Sequence, residues 1–318
     1  MSWPNNYPDT PDDQPEKKIP KAPSQPGGIL KDFTVGFTLA AKNFLSYALA
    51  MIGIIFVTVV LLIVILLFIV VPLIFTMGIP ALISLVIFIE STFSSSSQLT
   101  LVSLIMILIL PILGPFFVAL GSLFGMSREV VESDGTYAES AFGWYRKKAL
   151  SLVGGGALHF IVTLAPFIVA FIGIAYPTWN PPSNETLRIV IPVGLLWVFL
   201  SNGMLSLTFP GIIDGLPAIR AAARSVRLTA QFPGRVLGAW AIMFLIVGIP
   251  IISLIGELAF IFPSYIPIGW LEPYAGGIVL ILLFYVIPAF SIVLTRIYMI
   301  LTARVDATYT HDTGGDTL

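Results

Sequence analysis

The chain has no cysteine. Disulfides, thiolate nucleophiles and cysteine-held metals are therefore excluded. Histidine is nearly absent as well: there are two in 318 residues, His159 and His311. A zinc centre wants three or four ligands, and neither histidine has such company; His311 stands in the polar tail "THDTGGDTL". The motifs HExxH, GxSxG, GxGxxG and the P-loop are missing, which removes the metalloprotease, serine-hydrolase and nucleotide-binding readings that rest on them. No catalytic, cofactor-binding or metal-ligating residue is expected, and the chain is not expected to be an enzyme. Charge is scarce too. Asp, Glu, Lys and Arg make up 10% of residues, against roughly 25% in a soluble domain. Sixteen basic residues face 17 acidic ones, so there is no overall pull toward a polyanion, and nucleic acid is not an expected partner.

What is present is apolar: 57% of residues are hydrophobic and the mean hydropathy is +0.97. The solvent for most of this chain must be lipid. Six stretches free of Asp, Glu, Lys and Arg are long enough to cross it, and their proline, glycine and polar punctuation trims them to spans near 44–71, 100–126, 153–175, 189–210, 236–257 and 276–301. The expected fold is all-α, a polytopic integral membrane bundle of six transmembrane spans with cytoplasmic interfacial amphipathic helices. Residues 29–304 would form it. Residues 1–28 carry seven prolines and no apolar run, so they read as a disordered proline-rich leader rather than a signal peptide. Residues 305–318 read as a disordered tail.

The first uncharged stretch, 43–89, could hold two spans, and Pro72, Gly78 and Pro80 interrupt it. Residues 72–90 are read as re-entrant, interfacial or an extra span. Charge distribution favours six spans. Under that count every basic residue except Arg188 falls on one side, and basic residues in short loops stay cytoplasmic. The expected location is the cell membrane, multi-pass, with both termini cytoplasmic. The opposite loops, "STFSSSSQLT", "YPTWNPPSNET" and "FPSYIPIGWLEPY", are polar without positive charge or rich in the aromatics of an interfacial belt. Asn184-Glu185-Thr186 matches a glycosylation sequon there.

One charged pattern recurs. "DGLPAIRAAARSVR" from Asp214 aligns with "DGTYAESAFGWYRK" from Asp134, sharing Asp, Gly, Ala and Ala at 134/214, 135/215, 138/218 and 141/221. Each Asp is expected to cap a helix N-terminus. Residues 215–230 are expected to form an interfacial helix. Arg220, Arg224 and Arg227 would share one face, and Leu216, Ile219, Ala223, Val226 and Ala230 the apolar one. In the first copy, Arg146, Lys147 and Lys148 are expected at a helix C-terminus. All six cations are candidate contacts for anionic lipid headgroups. A fainter copy stands before the first span, in "GGILKDFTVGFTLAAKNF". The unit would be an interfacial helix plus a two-span hairpin, in three parallel repeats.

The block "AIRAAARSVRLTAQFPGRVLGAWAIMFLI", with Ala221, Ala222, Ala223, Arg224, Ser225, Leu228, Gly234 and Arg235, resembles a prokaryotic six-span membrane domain family of unknown function. That family is similar to the membrane domain attached to glycerophosphodiester phosphodiesterases. In layout the resemblance covers about residues 30 to 304. It implies a fold and a location; the short tails are expected to hold no phosphodiesterase domain, so it implies no enzymatic activity.

Four polar residues lie in or beside the spans: His159, Asn202, Glu257 and Arg296. Intramembrane polar groups are functional candidates by default. Here His159 and Asn202 are expected to bond neighbouring helices, and Arg296 to snorkel to the inner interface, since no partner of opposite charge is evident at matching depth. Gly121 and Gly125 form a GxxxG suited to close helix approach. The function expected is that of a non-catalytic membrane scaffold, assembly or regulatory factor, with the lipid bilayer, anionic headgroups and a membrane-protein partner or second copy as its company. The alternative is a transporter or lipid-handling protein.

Overall fold

In an apolar surrounding a chain must satisfy its own backbone polar groups, and helices do so within one segment. The computed structural model describes residues 28–95, 117–175, 184–254 and 275–313, and these are helical with short breaks. The elements are α1 (Ile29–Lys42), α2 (Phe44–Ser95), α3 (117–133), α4 (Ala138–Ala175), α5 (Asn184–Leu205), α6 (Thr208–Ile213), α7 (Ala218–Gln231), α8 (Pro233–Leu254), α9 (Ala275–Ile281) and α10 (Ile287–Thr313). A π-helical turn, Leu282–Val286, joins the last two.

Among the described residues, Phe44–Val64, Pro192–Ile213 and Gly277–Val305 are long and apolar enough to cross a membrane, and the bent pair α7–α8 makes a fourth if counted as one span. Parts of the expected spans 100–126 and 236–257 lie outside the described residues, as do Glu257 and most of the three polar loops. Helix α2 has 52 residues with a kink at Gly78; the stretch before the kink, about 34 residues, already runs about 51 Å at 1.5 Å each, against roughly 30 Å of hydrocarbon. It presents Phe56, Phe68 and Phe75 at 68, 77 and 85% exposure, a surface fit for lipid and not for water.

Each break has a local cause. Gly78 interrupts α2 with φ 76° and ψ 161°, a conformation glycine adopts without cost. At the α1–α2 junction the Asn43 amide donates to Leu39 C=O (3.0 Å) and accepts the Thr136 N–H (3.3 Å), so its side chain competes with the helix backbone. Phe232 precedes Pro233 and is driven out of the helical region to φ −129°, ψ 54°; α7 and α8 meet there at 105°. Pro288 can donate no N–H, and its ring crowds the carbonyl four residues back; the wider π turn just before it accommodates both.

Helix α10 is the central post. Residues 288–298 are buried along its whole circumference. One apolar cluster, with Leu152, Leu207, Ile212, Leu228, Phe290 and Ile297, packs on it from the side of α4, α6 and α7. A second, with Tyr47, Met51, Leu123, Met126 and Ile292, packs from the side of α2 and α3. Helix α1 packs against it, with Phe33 and Phe37 edge-on to Phe290 at 5.7 and 5.8 Å. Helices α3 and α4 approach closely where Gly121 faces Leu152 and Gly125 faces Trp144; a Cβ at either glycine would collide with the partner side chain.

Two expectations about local structure are corrected. Neither Asp134 nor Asp214 caps a helix N-terminus. Asp134, at φ 61°, ends α3, and Asp214 is the C-cap of α6; the residues between each Asp and the next helix carry it out of capping reach, and Pro217 occupies the N-cap of α7 without a side-chain bond. Arg146, Lys147 and Lys148 do not stand at a helix C-terminus, because α4 runs unbroken from Ala138 to Ala175. The buried face of α7 is Ala221, Ala222, Ser225, Leu228 and Thr229, while Ile219, Ala223 and Ala230 are exposed. Helix α10 continues to Thr313.

Candidate functional site

The contacts between segments gather the polar and charged groups at one end of the bundle. Asn43, after α1, donates to the Asp134 carbonyl at 3.2 Å. Glu129 on α3 accepts the Thr136 hydroxyl at 2.9 Å and the Trp144 indole N–H at 2.8 Å, tying α3 to the start of α4. Arg128 donates through Nη1 to Asp214 Oδ1 at 2.7 Å and through Nε to Glu132 at 3.0 Å. The Tyr298 hydroxyl donates to the other oxygen of Asp214 at 3.4 Å, and the Arg224 guanidinium lies over the Tyr298 ring at 5.9 Å, a cation–π contact. Burial, the largest influence, pulls the pKa of Arg128 down. The hydrogen bond to Glu132 and the charges of Asp214 and Glu132 outweigh it, and the group is held above its ordinary value.

Helix α7 crosses this end. Its orientation follows from Ser225, whose hydroxyl donates to Met204 C=O at 2.7 Å and accepts the Leu207 N–H at 3.1 Å. Both are backbone groups left over where α5 ends and α6 begins. Flanking alanines let α7 settle onto that junction. The opposite face is thereby turned outward. Arg220, Arg224 and Arg227 line a groove of about 390 Å³ together with Gln231, Leu216 and Val305. Among the described residues Arg220 and Arg227 form no ion pair. Arg146 and Lys147 are exposed on α4, and Lys148 is half-buried.

The deepest charged group is one the sequence did not single out. Asp32, in the first turn of α1, is fully buried. Its Oδ2 accepts Arg235 Nη2 at 2.6 Å and Nε at 3.0 Å, and its Oδ1 accepts Arg296 Nε at 3.1 Å. Arg296, expected to snorkel, is instead buried at 8% exposure because Asp32 neutralises it. The signal was in the pattern of α1, where a carboxylate occupies the buried stripe of Asp32, Phe33, Gly36, Leu39 and Ala40; an acid on an apolar stripe asks for a cation.

Two of the intramembrane candidates are brought together. Asn202 donates to Val198 C=O at 2.8 Å, which leaves its Oδ1 to accept His159 Nε2–H at 2.7 Å. The His159 ring stacks on Phe209 at 6.2 Å. One turn along α4, Ser201 on α5 donates to the Thr163 hydroxyl at 3.3 Å. His159 Nδ1 and Thr208 Oγ1 are buried without a hydrogen-bond partner. Among the described residues no three His, Asp or Glu side chains assemble as a metal site.

No family model, curated protein or solved structure matches the chain. The chemistry on offer at the charged end is therefore read from its own groups: guanidinium donors over an apolar floor, suited to binding an oxyanion beside a hydrocarbon surface.

Proposed function

We propose that the chain is a multi-pass protein of the cell membrane, with six spans and both termini cytoplasmic, acting as a non-catalytic scaffold, assembly or regulatory factor. Its charged end is the cytoplasmic surface, and α7 lies in the headgroup layer. The observation that carries this reading is the outward groove of Arg220, Arg224 and Arg227 with Leu216 and Val305 at its wall: cations for phosphate beside aliphatic side chains for the acyl boundary. Three cations near an anionic surface contribute roughly 3 kcal/mol, at about 1 kcal/mol each, reduced by salt. The gathering of Arg128, Arg224, Arg235 and Arg296 around Asp214, Tyr298 and Asp32 also supports a common cytoplasmic side. The likeness of the Ala221–Arg235 block to the six-span domains belongs to the same proposal.

The full chain in nanodiscs, with a trace of fluorescent phosphatidylglycerol, tests it. Anionic lipid should be enriched around the protein, and the Arg220→Gln/Arg224→Gln/Arg227→Gln variant should lose most of that enrichment at low salt. Unchanged enrichment would sink the lipid reading and point to a soluble partner. Reporter fusions after Gln98, Ser183 and Leu318 test the topology; an outward C-terminus rules out the six-span layout.

The alternative, a transporter or lipid-handling protein, draws on the buried, unpartnered His159 Nδ1 and Thr208 Oγ1. Water density linking both to the membrane surface in a map of the protein in lipid would move that reading ahead.

A further inference from the structure

Helix α1 repeats α7 position by position. Both have 14 residues. Both start from an extended N-cap, Gly28 at φ −66° and Pro217 at φ −66°. Both end with the residue after the helix donating its N–H to an equivalent leucine, Asn43 to Leu39 (3.0 Å) and Phe232 to Leu228 (2.9 Å). Both pass within one residue into an apolar helix. From Gly28 to Ala48 each residue is buried, half-buried or exposed as is its counterpart from Pro217 to Leu237. Asp32, Phe33, Gly36, Leu39 and Ala40 match Ala221, Ala222, Ser225, Leu228 and Thr229. So it is the fainter of the sequence copies that reproduces α7 most closely.

The outward positions match as well. Leu30 is 76% exposed and its counterpart Ile219 is 75% exposed, and each is followed by a cation, Lys31 or Arg220. The two helices lie at the same end of the bundle, since Asp32 in the first turn of α1 is ion-paired with Arg235, just past the α7–α8 break. A bulky aliphatic held outward beside a cation suits an interface, where the aliphatic enters the acyl boundary and the cation reaches phosphate.

We propose that α1 is a second membrane-surface helix, which sets Leu30 into the lipid at the depth of Ile219. This rests on the reading that the charged end lies in the headgroup layer. It makes the contact with lipid two-footed.

Because the chain has no cysteine, single labels can be placed without background. The full-length variants Leu30→Cys and Ile219→Cys, nitroxide-labelled, would be reconstituted in phosphatidylcholine vesicles with a minority of phosphatidylglycerol. Their relaxation by oxygen and by a water-soluble nickel chelate would be measured. Both labels should favour oxygen and report the same depth, within the ~5–10 Å to which interfacial helices bury their apolar face. Labels at Thr34 and Ala223, also counterparts and also exposed, should agree with each other likewise. If label 219 lies in lipid while label 30 meets the nickel chelate as in water, the inference fails and the reading of α7 stands. If both meet it as in water, the reading of the charged end fails with it. Label 30 in lipid with 219 in water overturns the equivalence.

Discussion

The segments that begin at Asp134 and Asp214 share four residues in register, yet one leads into an unbroken helix and the other into two helices that meet at 105°. The difference lies where their likeness has ended. Phe232 and Pro233 follow α7; the same distance past Asp134 stand Leu152 and Val153, which have no reason to leave the helix, and α4 continues. A third segment, α1, breaks at the same place as α7 without proline, through the competing amide of Asn43. The three segments are thus joined to the apolar helices behind them in three ways. The glue beneath them differs too. At one buried position α1 carries Asp32, held by two arginines, where α7 carries Ala221; four positions on, α1 has Gly36 where α7 has the bonded Ser225. Helix geometry sets which positions are buried, and local chemistry decides what holds them.

That comparison can be broken at several points. The largest effect is expected at the position shared by Asp32 and Ala221. Asp32→Ala leaves the buried Arg296 and the half-buried Arg235 without a counter-charge and should cost about 3–5 kcal/mol, seen as a lowered unfolding midpoint in detergent. Ala221→Asp buries a carboxylate with no such pair to receive it and should be comparably damaging; a mild effect would mean that a cation reaches this position as well. Next, Val153→Pro supplies α4 with the break it lacks and should cost about 3 kcal/mol, with loss of helical ellipticity. Ser225→Ala removes the partner of the Leu207 N–H, a loss of about 1–3 kcal/mol, measured by the same unfolding. The smallest effect is expected from Pro233→Ala, about 1 kcal/mol or less, because Ser225 and the alanines still hold α7 on the α5–α6 junction. Spin-label distances between residues 219 and 245 should barely change, and a straightened α7–α8 would show that proline alone makes the bend.

Much of the architecture was legible in the sequence. Scarce charge and long apolar runs announced helices fit for lipid, the α7 arginines were read on one outward face, and GxxxG marked a close approach. The face of α7 that meets the bundle was not read from sequence, because hydrophobicity ranks isoleucine and valine above serine and alanine, whereas burial there is decided by the backbone groups that Ser225 satisfies. The Asp32 cluster escaped for a related reason. Its members lie far apart in the chain, and only the packing of α1 on α10 makes them neighbours. The partnership of His159 with Asn202 likewise depends on the pairing of α4 with α5, which no local spacing encodes.

The π turn at Leu282–Val286 has a consequence for how this molecule can move. Such a turn holds one residue more than the regular winding around it, so α9 and α10 are two rods of different phase on a common axis. The surplus can be wound in or let out at that point. A twist of about 100°, one residue's worth, applied at the α9 end can be absorbed there while Arg296 and Tyr298 keep their places. A twist taken up there would not reach the ion-paired end of the post, and tilt would be the motion that α10 transmits.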